Sequence, residues 1–412
     1  MAEAPKAATV PSAESAGIGP GHHCLGTMYI QTRGATLGIA NGCFCVSREA
    51  RQLLCPPRHE VRRIVLIGRI HVTQAAIELA GRLGIPIAFL TRGGDFLGLF
   101  SGLGAAVAIG TTGERSLAAR RHQWTMALEP PPPGQEPESA ASFARRFAIA
   151  KLENSRALLL RAGRREEGIE EEDAAARRDA AVETIARSIA GASTAPTIAA
   201  LLGHEGTGAR AFFGVLQYLI APRRRGDFAF SRRTRRPPRD PFNALLSFLY
   251  ALLATECTGA VRAAGLEASL GFLHAPRQGR PALALDLMEE LRAPMVDRLA
   301  LALVNRGQLG PEHFHNPEPE ELGLRSGEED PLEIEEGGII AHDDMPPPVH
   351  LNEAGRLTVL AAWRSRQGDM VHHPAAGRPV PWRLVPHLQA AALVQALADG
   401  DPGAYQPFRP RL

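Results

Sequence analysis

Cysteine is scarce in this chain, with five residues among 412, an odd number without the spacing of a zinc ribbon. A disulfide framework is therefore not expected, and a reducing compartment is. Cys43 and Cys45 alternate on a strand-like stretch and, with Cys24 and Cys55 nearby, read as small buried hydrophobes; Cys257 falls in an apolar helix and reads as core. A bulk excess of one charge is also missing. The formal net charge is +2, so any nucleic-acid surface has to come from local clustering. The stretch up to Pro20 mixes Ala, Pro, Ser and Gly without an apolar core, and no later apolar run reads as long enough to span a bilayer. The expectation is a cytoplasmic protein with no membrane partner.

What is present suffices for a large core. With 45% hydrophobic and 22% charged residues, 412 residues leave room for two domains. Strand-like alternation with Gly and Asn turn signals runs from Met28 to Val46, and further strands are expected at Val61–Ile67, Pro86–Thr91 and Phe96–Ser101, with a helix over Thr73–Arg82. Later patterns are helical: Ser142–Leu160, Ala174–Ile189, Gly208–Leu219, Pro241–Ala264, Ala284–Asn305 interrupted at Pro294, and Pro386–Leu397. The fold class is thus α+β, with a small N-terminal β-rich domain over residues 26–108 and a larger, mainly α-helical domain over 109–412 that carries the candidate site residues. Residues 1–25 read as a disordered tail. An acidic, proline-rich excursion at about 311–348 reads as a flexible surface segment that DNA would avoid. Its scattered His313, His315, His342 and His350 lack the regular spacing of a metal site.

Chemistry concentrates in Gly271-Phe272-Leu273-His274 and the helix-like run that carries Asp286, Glu289 and Glu290. In a helix Asp286 shares a face with Glu289 and with Glu290, and close carboxylates are often gathered around a cation. The plainer reading is a helix that favours acids near its start, with Arg292 pairing at the surface. Upstream, Gly203-His204-Glu205-Gly206-Thr207-Gly208 reads as a glycine-punctuated turn entering a helix, with Glu205 in the first turn, either as a capping acid or as a group projecting into a cleft. Arg232, Arg233, Arg235, Arg236 and Arg239 follow Arg223, Arg224 and Arg225 in a basic stretch with interleaved Phe228 and Phe230, suited to a DNA backbone or to a solvated loop.

These segments, with the run Arg235 to Phe248, the late Gln389-Ala390 and Tyr405-Gln406-Pro407-Phe408-Arg409, resemble in the same order the CRISPR-associated integrase family, the catalytic subunit of the spacer-acquisition complex. The resemblance covers the chain from about Met28 onward. It implies Glu205, His274 and Glu289 as metal ligands, Asp286 as the acid beside them, and magnesium or manganese (Mg2+ or Mn2+) as the ion. It also implies a reaction, attack of the 3′-hydroxyls of a captured DNA fragment on repeat phosphodiesters. The implied partners are DNA, a second copy of the chain, and a small ferredoxin-like adaptation protein that spaces two homodimers. The exposed sheet edges expected between Met28 and Ser101 suit the twofold contact. Two other readings use the same residues: a generic metal-dependent DNA endonuclease, with water as nucleophile, and a non-enzymatic DNA-binding scaffold whose acids only cap helices.

Overall fold

The computed structural model describes residues 21–24, 26–49, 51–93, 96–100, 102, 114–128, 138–163, 172–234, 237–317 and 346–410. Most of the N-terminal tail, Arg235, Arg236 and most of the acidic excursion lie outside them.

The N-terminal region is a two-sheet sandwich. Its strands are β1 (Gly21–Cys24), β2 (Thr27–Ile30), β3 (Thr36–Ala40), β4 (Cys43–Arg48), β5 (Arg51–Leu54), β6 (Arg63–Ile67) and β7 (His71–Val72), then α1 (Gln74–Leu83), β8 (Ile87–Leu90) and β9 (Phe96–Phe100). The first sheet has the order β1-β2-β6-β8-β9, with β2, β6 and β8 parallel and an antiparallel strand at each edge. The second has the order β5-β4-β3-β7. Asn41 and Gly42 turn the β3–β4 hairpin with φ of 51° and 74°, a left-handed pair that Asn and Gly adopt at little cost. The Thr73 side chain caps α1 by accepting from the Ala76 amide, and Gly84 ends the helix at φ 64°.

Period-two alternation decides what each face of the first sheet covers. Met28, Ile30, Ile64, Leu66 and Ile87 meet Leu37, Phe44 and Val46 of the second sheet and Ala76 and Ala80 of α1. Tyr29, Val65, Ile67, Ala88 and Leu90 point the other way and join the core of the helical layer. Both faces are buried, which is why these strands read as unbroken apolar runs.

The rest of the described chain is mainly helical: α2 (Glu114–Leu128), α3 (Glu138–Gly163), α4 (Glu172–Ser193), α5 (Ile198–Leu216), α6 (Pro241–Ala263), α7 (Ala282–Glu289) and α8 (Arg298–Asn305). A two-residue ribbon, β10 (Phe314–His315) against β11 (His350–Leu351), joins the two ends of the acidic segment. The chain closes with α9 (Glu353–Gly368), the hairpin β12 (Met370–His373) and β13 (Arg378–Pro381), and α10 (Val385–Asp399).

Four expectations meet the structure here, and three of them are corrected. First, α6 is long and apolar enough to cross a membrane by length and composition; most of it is instead packed inside the molecule as the central core helix. Asp240 caps it, accepting from the Asn243 amide at 2.7 Å, with Pro241 at its first turn. Second, the glycine-punctuated segment is not a turn. The helix begins at Ile198 and runs through all three glycines. Third, the helical run is interrupted around Pro294 as expected: α7 ends at Glu289, and Arg292–Asp297 widens into a π-helical segment that leads into α8. Fourth, Cys45 and Cys55 are disulfide-bonded. Pairing of β4 with β5, with a register shift after Val46, brings their Cα atoms to 4.3 Å. Cys43 stays free and half-buried, and Cys257 free and buried.

A buried polar knot ties the sandwich to the helices. Arg63 on β6 pairs with Glu256 on α6, whose other oxygen accepts from the Gln367 side chain on α9 at 3.0 Å. A Cβ at position 259 would approach the Arg63 guanidinium to 2.9 Å, so Gly259 opens the slot that the arginine fills.

Candidate active site

Four segments remote in sequence meet at one partly open cleft in the helical layer. They are α3, α5, the Gly271–His274 loop, and α7 with the π segment after it.

The loop is folded by Asp286. This fully buried carboxylate accepts from the amides of Phe272 (2.6 Å), Leu273 (3.0 Å) and His274 (2.9 Å), and lies 2.7 Å from His274 Nδ1. With its proton on Nδ1, the imidazole donates to Asp286, which fixes the ring and leaves the Nε2 lone pair facing the cleft. Gly271 is required by close approach. A Cβ there would lie 2.7 Å from the His274 carbonyl oxygen and 2.9 Å from Ala282. His274 Nε2 stands 3.7 Å from Glu289 Oε1.

Glu289 is 2% exposed and held between cations, with Lys151 Nζ at 2.9 Å and Arg292 Nη2 at 3.1 Å. Burial works against its charge, but Arg292, Lys151 and His274 outweigh it and keep the carboxyl down at about 2. Glu205 reaches the same point from the middle of α5 and is in contact with the Lys151 ammonium. Its placement depends on Gly208, where a Cβ would collide with Leu152 of α3 and crowd Ser188 of α4. Gly208 thus serves close helix packing rather than a turn.

Glu205, His274 and Glu289 are therefore brought together, with Asp286 behind the histidine. Glu290 is not part of this group. It turns to the opposite side of α7, where the Tyr405 hydroxyl (2.7 Å), the Gln389 side chain (3.0 Å) and the Phe408 amide donate to it. Asn154 on α3 donates to the Phe408 carbonyl at 2.9 Å and to that of Glu290 at 2.7 Å. The C-terminal segment is thus bound to the back of the helix that carries Glu289.

Burial raises the Glu290 carboxyl to about 7, against the pull of these donors. A folded-state value above the ordinary one means that the folded state holds its proton longer than the unfolded chain, so stability falls as pH rises from about 4.5 towards 7. Glu290→Gln cannot ionise. In urea melts between pH 4.5 and 7.5 the stability advantage of the wild type over this variant is expected to narrow with rising pH; a gap independent of pH would contradict the assignment.

The arginines divide. Arg292, read from sequence as a surface partner, is largely withdrawn from solvent, with its side chain 13% exposed: it pairs with Glu289, and its guanidinium carbon lies 4.9 Å from the centroid of the Tyr250 ring. Arg233 lies 5.5 Å from the same centroid and donates to Asn243 (2.8 Å) and Ser247 (2.9 Å) at the start of α6, an inward anchor more than a free DNA contact. Tyr250 donates to Asp297, which burial pushes up to about 6. Arg232 is exposed, and Arg239 donates to the Pro346 carbonyl at 2.7 Å.

Sequence reading missed Lys151. A signal existed: Lys6 and Lys151 are the only lysines in a chain with 46 Lys and Arg residues. It lies in the apolar stretch of α3 and is 9% exposed. The ammonium stands between Glu205 and Glu289, and among the described residues no three of His, Cys, Asp and Glu are gathered tightly enough to grip an ion as they stand. The donor set nonetheless suits a hard divalent cation. Two carboxylates and one imidazole nitrogen lie around Glu289, with His274 Nε2 at 3.7 Å from its Oε1 and Glu205 linked to its Oε2 through the Lys151 ammonium, and Glu205 Oε1 and Glu289 Oε2 are buried without accepting a hydrogen bond of good geometry. His315 and His350 face each other across the β10–β11 ribbon, where no group of three metal-ligating side chains is found among the described residues, and His342 lies outside them.

The architecture and site together define an α+β protein with a buried carboxylate–imidazole cleft in its helical layer. A family model described as CRISPR associated protein Cas1 matches residues 28–325. A protein of Rhodospirillum rubrum named CRISPR-associated endonuclease Cas1 is 35% identical over 388 residues, spanning 93% of this chain and 98% of that one. This chain belongs to the CRISPR-associated Cas1 family. The fold is also that of solved structures at low identity. A Cas1 protein from Thermotoga maritima matches at TM-score 0.67 and 20% identity over 91% of this chain and 97% of that one. A casposase bound to its integration product matches at TM-score 0.68 and 19% identity over 91% of each.

Proposed function

We propose that this chain is the metal-dependent DNA integrase of CRISPR adaptation and inserts captured DNA fragments as new spacers. The observation that carries the reading is the convergence of Glu205, His274 with Asp286, and Glu289 from three separate segments of a Cas1-family chain. Glu205, His274 and Glu289 would hold Mg2+ or Mn2+, and the ion, when bound, would supply positive charge against the phosphate and ease ionisation of the attacking hydroxyl.

The chain's own residues prepare the rest. Asp286 accepts a hydrogen bond from His274 Nδ1 and so orients the ring with Nε2 turned towards Glu289. Arg292 keeps Glu289 ionised and adds a guanidinium at the edge of the cleft, where non-bridging phosphate oxygens would gather charge. In the transfer, the 3′-oxygen of the fragment bonds to phosphorus, the bond to the repeat's 3′-oxygen breaks, and one proton moves from the attacking to the departing oxygen. The number of phosphodiesters is unchanged, so no external energy source is required.

Full insertion needs two such events at fixed separation, while one chain carries one Glu205, His274 and Glu289 set. We therefore assign a homodimer formed through the N-terminal sandwich, working in the cytoplasm with a small ferredoxin-like adaptation partner on DNA. The test is strand transfer of a 5′-end-labelled fragment into a repeat-bearing plasmid. Joining should need divalent metal and stop with EDTA, and full-site products should need the partner. Cleavage without joined product would favour the endonuclease reading, in which water replaces the hydroxyl, as the names of the relatives suggest.

The basic segment gives a separate expectation. Neutralising Arg232, Arg235 and Arg236 together should weaken DNA binding and lower the salt-dependence slope by roughly one to three, about 0.9 for each lost phosphate contact. Binding isotherms between low and moderate salt check it, and an unchanged slope would move the DNA path elsewhere. Replacing Arg233 should mainly cost stability, because its donors are spent on α6.

A further inference from the structure

We propose that Lys151 is the resident counter-ion of the Glu205–Glu289 pair, and that a divalent cation enters the site by displacing its ammonium. This rests on the metal reading above and adds a competitor that the reading does not contain.

Three observations point the same way. The ammonium lies between two carboxylates that come from different helices, in contact with Glu205 Oε1 and 2.9 Å from Glu289 Oε2, and Lys151 is only 9% exposed. The negative charges of these two carboxylates repel, and among the described residues Lys151 is the cation in ion-pair contact with both. The contacts are also poorly directed. Neither of these oxygens accepts a hydrogen bond of good geometry, so the attraction is that of a point charge, which another point charge can replace.

The choice of lysine in an arginine-rich chain supports exchange over permanent bridging. A guanidinium would grip the two carboxylates with a planar fork and several directed bonds, whereas an ammonium on a flexible stem can leave by rotating its own side chain. The α3 backbone would not have to move. One turn further along, Asn154 binds it to the Glu290 and Phe408 carbonyls. Loading is then a swap of cations. The carboxylates stay together when no ion is bound, and the affinity for the ion is lower than the bare donor set would give.

The experiment is Mn2+ titration of the full-length protein, reading free aqueous manganese by EPR at constant ionic strength, for wild type, Lys151→Met, Lys151→Arg and His274→Ala. Lys151→Met should bind Mn2+ about tenfold more tightly than wild type, since no ammonium has to be expelled. It should melt at a lower temperature than wild type without the ion and lose that deficit with it. Lys151→Arg should bind more weakly than wild type. Equal or weaker binding by Lys151→Met overturns the proposal. If that variant does not fold, Lys151→Arg decides, and binding equal to wild type or tighter overturns it. The two readings fail in different ways: wild-type uptake that does not depend on His274 removes the metal site itself, whereas His274-dependent uptake without a Lys151 effect removes only the exchange.

Discussion

Strand transfer by His274→Ala is expected to fall by at least about a hundredfold, with a parallel loss of Mn2+ affinity, while the folded structure persists. The imidazole brings a nitrogen ligand to within 3.7 Å of Glu289, and Asp286 already fixes its orientation. The fold should tolerate the change, because the three backbone amides that shape the loop are held by the Asp286 carboxylate and not by the ring. Asp286→Asn separates the roles. It keeps one acceptor oxygen for the loop but turns an amide towards its donors, so loop stability and metal affinity should both drop. Joining assays, manganese titration and circular dichroism on the same preparations read these effects. Wild-type joining by His274→Ala would place the chemistry elsewhere.

Removal of Glu256 should be the most damaging single change outside the cleft, at about 3–5 kcal/mol, because it leaves a guanidinium buried without its counter-charge. Arg63 on β6 reaches across to Glu256 on α6 beside Gly259, and Gln367 on α9 completes the knot. Both ionic side chains are largely buried, at 13% and 9% exposure. Glu256→Gln should cost less, since an amide oxygen can still accept from Arg63. The double replacement Arg63→Met with Glu256→Leu should recover much of the loss, as packed apolar groups often match a buried ion pair. Urea unfolding of the full chain checks the series. A Glu256→Ala protein within about 1 kcal/mol of wild type would mean that water reaches Arg63. The same knot holds the sandwich on the helical layer, so Glu256→Ala should also unfold in two transitions if the layers can then separate.

Much was legible in the chain itself. The strands at Val61–Ile67 and Pro86–Thr91 and the helix over Pro241–Ala264 follow from apolar period, turn residues and caps, all local properties. The α+β order follows from them, and the motifs around Glu205, His274 and Asp286 to Glu289 singled out the residues that meet in the cleft. Tertiary structure decided which way each acid faces. Glu289 and Glu290 are adjacent in sequence, yet one is ionised against Lys151 and Arg292 and the other is pushed up to about 7 against the C-terminal segment. Neighbours on a helix are turned about 100° from each other, and what each meets is set by helices that arrive from elsewhere. The same cause hid Lys151, 54 positions from Glu205 and 138 from Glu289. It also concealed the partners of Arg63 and Arg233 and the Cys45–Cys55 bond. Local periodicity carries the element and its buried face, whereas charge pairing, ligand geometry and pKa depend on distances between residues that only packing brings together.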